Sequence, residues 1–258
     1  MKVTKIILIL VAVFAGFLFA SVQGYSAPII YTGMDLEYTS GNASAAAASF
    51  DAAVGSFSII TFEGLTAGPA TVDTPFTVAS GLNVTYSGVY WSNIGGYFSG
   101  VNNVLVNDSW GYNTTAGGSN YLGMYPQPTG AEHTVSITFS FNQPINAFGA
   151  YFSGLEWFAT PSPITLNYTT VDGTYHLEIV KPTQADDSLG LRFFGITDIN
   201  SISQITLTEV VPGTGNYDAW GLDDVRYASK TAVPEPGILI LLGISMASIA
   251  GLKRWWRQ

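Results

Sequence analysis

The sequence predicts an all-β protein: an antiparallel β-sandwich of jelly-roll-like form, with one short helix near its start. Three observations predict it. Short apolar stretches alternate with hydroxyl residues. From His133 to Phe141, for example, Val135, Ile137, Phe139 and Phe141 interleave with Thr134, Ser136, Thr138 and Ser140. That period of two marks a strand with one buried and one wet face, as in antiparallel sheets. Turn residues separate such stretches all along the chain, and only one stretch is rich in alanine.

In chain order, Tyr31 to Tyr38 reads as a short strand. The alanine-rich run from Asn42 to Gly55 favours helix. Asn42 or Ser44 can cap its start, and Gly55 can end it. Ala46, Phe50 and Val54 share one face at helical spacing, so the helix is expected on a sheet edge or end. A low-complexity linker is the alternative. Strands follow at Phe57 to Phe62, leading into Glu63-Gly64, then at Phe76 to Val78 and Leu82 to Tyr86, around Ser80-Gly81. Asn103 to Val106 reads as a shorter strand and Asp108 to Asn120 as loop. Tyr121 to Tyr125 is a strand ended by Pro126 and Pro128.

After His133 to Phe141, Asn142-Gln143-Pro144 is expected to turn the chain, with Ile145 to Phe152 coming back. Ile164 to Tyr168 and Thr174 to Val180 form a hairpin through Asp172-Gly173, a strong hairpin signal. Leu189 to Phe194 and Ile202 to Val210 read as two further strands. The last is Trp220 to Tyr227. Its apolar positions Trp220 and Leu222 are out of phase with Val225 and Tyr227, and a bulge at Asp223-Asp224 restores the phase.

The ends carry transport information. Lys2 and Lys5 precede an apolar stretch, Ile6 to Ala20, and Val22-Gln23-Gly24 offers compact residues for cleavage. Residues 1–24 therefore read as a secretory signal peptide, with an uncleaved anchor as the alternative. Residues 25–230 form the exported domain. Residues 231–258 begin with an extended box, Val233, Pro234, Glu235, Pro236 and Gly237. An apolar run over residues 238–252 follows as a short transmembrane helix. About 15 residues span roughly 22 Å, short of the roughly 30 Å hydrocarbon core. Lys253, Arg254 and Arg257 surround Trp255 and Trp256 and belong on the cytoplasmic side, which places the domain outside.

This tail resembles the PEP-CTERM sorting signal of Gram-negative bacteria, which an exosortase processes in the inner membrane. The resemblance implies signal peptidase and exosortase as partners and an inner-membrane precursor. It also implies cleavage near the box and transfer to the cell surface or extracellular matrix, with association to exopolysaccharide and biofilm. A permanent membrane anchor is the alternative. Ile59 to Gly64 and Trp220 to Val225 also resemble the first and last strands of PEP-CTERM ectodomains, a likeness that brings no activity with it.

The chain carries a net charge of −9, and its middle is more acidic than the whole. Among its bases, only Lys181, Arg192, Arg226 and Lys230 lie in the domain, so nucleic acid and anionic lipid are repelled. There is no cysteine, which excludes disulfides and thiolate chemistry. No nucleophile elbow, zinc-protease motif or phosphate-binding loop is present. The two histidines, His133 and His176, read as strand-surface residues. Glu63, Glu132, Glu156 and Glu178 could serve a glycosidase only if two of them faced each other across a cleft.

Glu63, Asp218, Asp223 and Asp224 are candidate oxygen ligands for a structural calcium. The competing reading makes Asp223-Asp224 a bulge whose side chains bond nearby backbone. Trp110, Tyr112 and Trp157 are candidates for stacking on sugar rings. The competing reading places Trp91 and Trp220 in the core and the others over the sandwich ends. The function expected is that of an exported, non-catalytic surface or extracellular-matrix protein. A calcium-assisted carbohydrate-binding module is the alternative, and a polysaccharide-acting hydrolase the second.

Overall fold

The computed structural model describes residues 27–36, 41–91, 93, 96–103, 110–155, 163–179, 190–213 and 218–229. The signal-peptide and sorting-tail readings lie outside these residues, as does Trp157. Among the described residues, no helix is long and apolar enough to cross a membrane.

The elements in order are β1 (Ile29–Asp35), α1 (Asn42–Val54), β2 (Ser58–Ile60), β3 (Gly68–Pro69), β4 (Phe76–Ala79) and β5 (Leu82–Ser87). Then come β6 (Gly100–Asn102), β7 (Tyr121–Met124), β8 (His133–Leu155), β9 (Ile164–Thr170), β10 (Gly173–Ile179), β11 (Gly190–Val211) and β12 (Trp220–Ala228). Neighbouring strands pair antiparallel throughout. The Asp172-Gly173 hairpin forms as expected, with Gly173 at φ 145°.

Two strands decide the architecture. Asn142-Gln143-Pro144 does not reverse the chain. Residues 133–155 form one strand of 23 residues, and the two stretches expected around Leu189 to Val210 likewise form one strand of 22. The first half of β8 pairs with the second half of β11, and the second half of β8 with the first half of β11. Their register shifts between Thr197 and Gln204, opposite the exposed Asn142 to Pro144. Pro144 has no N–H for the ladder. On β11, Asp198 is buried and accepts a 3.0 Å hydrogen bond from the Tyr168 hydroxyl, and its other oxygen accepts from the Asn200 N–H. Both strands thus bend at one corner and pass from one layer to the other, as strands do where sheets pack at an angle.

The front layer runs β4, β5, the first half of β8, the second half of β11, β9 and β10. The back layer runs β1, the first half of β11, the second half of β8, then β12, whose far edge is shared by β2 and β7; β6 and β3 follow. The main core lies between the layers. Phe139 of the front layer meets Phe148 of the back layer with ring centroids 5.5 Å apart. Trp220 is buried here, and its Nε1–H donates across the core to Glu209 Oε2 at 2.9 Å. Glu209 takes an inward position after Ile205 and Leu207, where an acid needs such a donor.

The outer faces differ. Helix α1 lies on the outer face of the back layer, not at an edge or end. Phe50 packs over the cross-strand pair Gly149 and Gly195, where a Cβ on Gly195 would stand 2.8 Å from its ring. Phe193, Tyr151 and Tyr31 surround this ring contact. The buried helical stripe is Ala43, Ala47 and Phe50, with Ala46 and Val54 at its margin. Neither Asn42 nor Ser44 caps the helix through its side chain. Asp35 of β1 does so, accepting from the N–H groups of Gly41 (2.9 Å), Asn42 (2.7 Å) and Ala43 (3.2 Å). A strand residue can take this role because β1 ends beside the open helix terminus. Gly55 ends the helix, its N–H bonding to Asp51 O at 2.9 Å.

No described element covers the outer face of the front layer. One row across it reads Thr85, Thr138, Thr206, Asn167, His176, each directly opposite the next. At the opposite end of the back layer from its loops, Ile29, Thr197, Ala147 and Ala228 also form one row. The start of β1 and the end of β12 are therefore three strands apart, about 14 Å.

Candidate functional site

Glycine and three carboxylates seat the loop 110–120 on the outer face of the back layer, beside α1. Gly111, at φ 104°, packs directly on Gly221 of β12, where a Cβ would stand 2.4 Å from the Gly221 nitrogen. Ser153 of β8 accepts from the Tyr112 N–H (2.9 Å) and donates to the Tyr112 carbonyl (2.7 Å). Tyr112 is thereby buried in the cluster that holds α1. It presents no face to a sugar, contrary to the sequence expectation, because the glycine contact draws the loop onto the sheet.

The expected bulge is present. Register shifts between Asp223 and Arg226, and Asp224 takes a left-handed φ of 49°. This turns two successive carboxylates toward the loop. Asp223 Oδ2 accepts from the Thr114 and Thr115 N–H groups at 2.8 and 3.0 Å and from both hydroxyls at 3.1 and 3.2 Å. Asp224 Oδ1 accepts from the Thr115 hydroxyl at 2.7 Å. Burial, then the charge of Asp224, push the Asp223 carboxyl up to about 7, against the pull of the Thr114 and Thr115 amides.

Glu63 holds the other end of the loop. Its Oε1 accepts from Asn113 Nδ2 (2.9 Å) and from the N–H groups of Ser119 (2.8 Å) and Asn120 (2.9 Å). Asn120 Nδ2 in turn donates to the carbonyls of Phe62 and Leu65. Glu63 and Asp223 thus face N–H and O–H donors, which serve the loop as a cation would. Asp218 is buried beside β12, and among the described residues no three acidic or histidine side chains come together to hold a metal ion.

Trp110 opens this loop and stays half-buried. Its ring meets Tyr97 edge-on at 5.3 Å and Tyr125 at 6.3 Å. The Tyr125 hydroxyl donates to the Trp110 carbonyl at 2.7 Å, which fixes the backbone at the base of the ring. Tyr97 is also half-buried, so the two rings form a partly exposed aromatic edge. The sequence singled out Trp110 but missed Tyr97, Tyr125 and the two threonines. The only signal for the threonines was a pair of hydroxyls in a glycine-rich loop.

His133 and His176 lie on strand surfaces, His133 near the Thr129 hydroxyl and His176 beside Asn167. Of the candidate acids, Glu132 precedes β8 and Glu178 lies on the front face, while Glu63 serves the loop; Glu156 is outside the described residues. A cleft of about 560 Å³ is lined by Ile29, Val54, Ala147 and Ala228, and one of about 340 Å³ by Pro69, Phe76 and Val101. Neither is lined by Trp110 or the loop carboxylates.

No protein-family model matches the chain, and no curated protein is similar to it in sequence. Among solved structures it is similar to an arabinose-bound GH51 α-L-arabinofuranosidase, at 12% identity and a TM-score of 0.36. That match covers 66% of this chain and 25% of the other, so the chain spans about a quarter of that protein. It is also similar to the C-terminal family 22 carbohydrate-binding module of Clostridium thermocellum Xyn10B, at 13% identity, covering 71% and 98% of the two chains with a TM-score of 0.33. A third likeness is to the CBM22-1 xylan-binding domain of Paenibacillus barcinonensis Xyn10C, at 15% identity, 68% and 98% coverage and a TM-score of 0.32. Likenesses this distant carry no argument about function.

Proposed function

We propose that this chain is an exported, non-catalytic polysaccharide-binding protein that a C-terminal sorting tail delivers to the cell surface or matrix. The aromatic edge of Trp110 and Tyr97 supports the binding role. It is half-buried, and Tyr125 packs on the Trp110 ring and bonds its carbonyl. Sugar rings carry an apolar face, and an exposed aromatic edge matches it. Pinning the loop beforehand reduces the ordering cost of binding.

The test is titration of the full-length chain, in detergent, with soluble neutral and acidic polysaccharides, read by tryptophan fluorescence. Trp110→Ala is expected to weaken binding about tenfold or more, as truncation of an aromatic anchor does. Unchanged affinity in a variant that melts like the parent would sink this reading.

The sorting role rests on the resemblance of the tail, Val233 to Gln258. The placement of both domain ends on one row, about 14 Å apart, agrees with it. Segments on either side could enter one membrane without crossing the domain. Replacing Pro234, Glu235 and Pro236 with alanine is expected to leave unprocessed precursor in the inner membrane. Normal maturation of that variant would reduce the tail to an anchor.

A further inference from the structure

We infer that the outer face of the front layer is a second binding surface, which takes an extended, neutral, hydroxyl-rich polysaccharide. It lies on the other layer from Trp110 and does not depend on the aromatic site. The row from Thr85 to His176 has a neighbour in register: Ser87, Ser136, Thr208, Thr165 and Glu178. Five strands at about 4.8 Å make such rows roughly 19 Å long, and successive rows stand about 6.8 Å apart.

Two features characterise this face. The first is its charge, which is as low as that of the chain overall, where charged residues make up 10%. In these two rows the only ionisable residues are His176 and Glu178, both on β10 at the margin. At the other margin the Asp73 carboxylate accepts from the Ser87 hydroxyl, so the acids stand at the two ends of the rows and the three central strands carry none in these rows.

The second is its order. The side chains bond to one another across the strands. Thr138 and Thr206 hydroxyls meet at 3.1 Å, and Asn167 Nδ2 donates to the Thr208 hydroxyl at 2.8 Å. Thr169 and Thr174 hydroxyls meet at 3.0 Å. These five hydroxyls are held in place yet keep capacity for a further bond, since a hydroxyl offers one donor and two acceptor lone pairs.

These features select a partner chemistry. A polyanion would be repelled by the charge of the chain. A polycation would find counter-charges only at the two ends of the rows. An apolar partner would have to desolvate hydroxyls for little area in return. A neutral polyol offers donors and acceptors at short intervals, and the rows supply the same. Their fixed geometry lowers the ordering cost on the protein side.

The experiment uses the full-length chain in detergent, sedimented with swollen cellulose or with insoluble starch as neutral glucans, and with polygalacturonate gel as an acidic control. Trp110→Ala serves as the parent, so that retention reports the front face alone. That parent is expected to sediment with at least one neutral glucan and not with polygalacturonate. Adding Thr206→Lys at the centre of the row, or Thr85→Lys nearer its end should the first not fold, is expected to cut retention about tenfold. Loss of all glucan binding in Trp110→Ala, or unchanged retention with lysine on the row, overturns the front-face site and leaves the aromatic site standing. Full retention in Trp110→Ala with loss on Thr206→Lys does the reverse. A wild-type chain that binds neither glucan overturns the front-face site and leaves the aromatic site to its own titration.

Discussion

The two layers share their longest strands, yet their outer faces are built to opposite rules. On the back layer, side chains give way to glycine where something must dock. Gly149 and Gly195 receive Phe50 of α1, and Gly221 receives Gly111 of the loop. Carboxylates then hold each cover: Asp35 the helix, Asp223 and Asp224 the loop. On the front layer the corresponding positions carry Thr, Ser and Asn that bond to one another. A covered face needs relief and buried anchors; an open face needs polar groups that remain hydrated. The same β8 and β11 meet both demands because each half of the strand belongs to a different layer.

The sharpest way to break this contrast is to empty the helix contact. Phe50→Ala removes a fully buried ring from the glycine seat and is expected to cost about 3–5 kcal/mol in denaturant unfolding, the range for large core truncations. A loss below about 1 kcal/mol would mean that the helix is an accessory and the back face does not need its cover.

The loop cover should respond to pH. The folded-state value of Asp223, about 7, lies above the roughly 3.9 of an unfolded aspartate. The protonated form therefore favours the folded chain. The contribution of this group is full below about pH 4 and is lost as pH rises through about 7. Asp223→Asn should flatten the fall in melting temperature over that window. An unchanged pH profile would show that Asp223 is not the group responsible.

The smallest effect is expected on the front face. Thr138→Val removes one hydroxyl from a half-buried position and should change stability by no more than about 0.5 kcal/mol. A loss above about 2 kcal/mol would mean that the hydroxyl ladder holds the sheet together, and the contrast between the faces would weaken.

Much of this was legible in the chain. The alternation in His133 to Phe141, the Asp172-Gly173 turn, the helix end at Gly55 and the bulge at Asp223-Asp224 are local signals, set by side-chain period and backbone sterics. The Asn142-Gln143-Pro144 stretch misled because proline and exposed polar residues mark a break in pairing, which serves a sharp bend as well as a turn. The cap on α1 and the partners of Glu63 and Asp223 were not legible, since they join residues remote in sequence. Asp223 and Thr114 are 109 positions apart.

The sequence by itself determined the class of fold, the acidic character without disulfides, the short helix that Gly55 ends and the polar strand faces. These follow from composition and short-range periodicity. Only the tertiary structure decided that β8 and β11 each serve two layers, that Tyr112 is buried while Trp110 is half-buried, and that Glu63, Asp223 and Asp224 accept hydrogen bonds from a loop. Those outcomes depend on which remote donors reach each carboxylate and on where a missing Cβ lets one segment lie against another. Neither is encoded within the reach of a single strand.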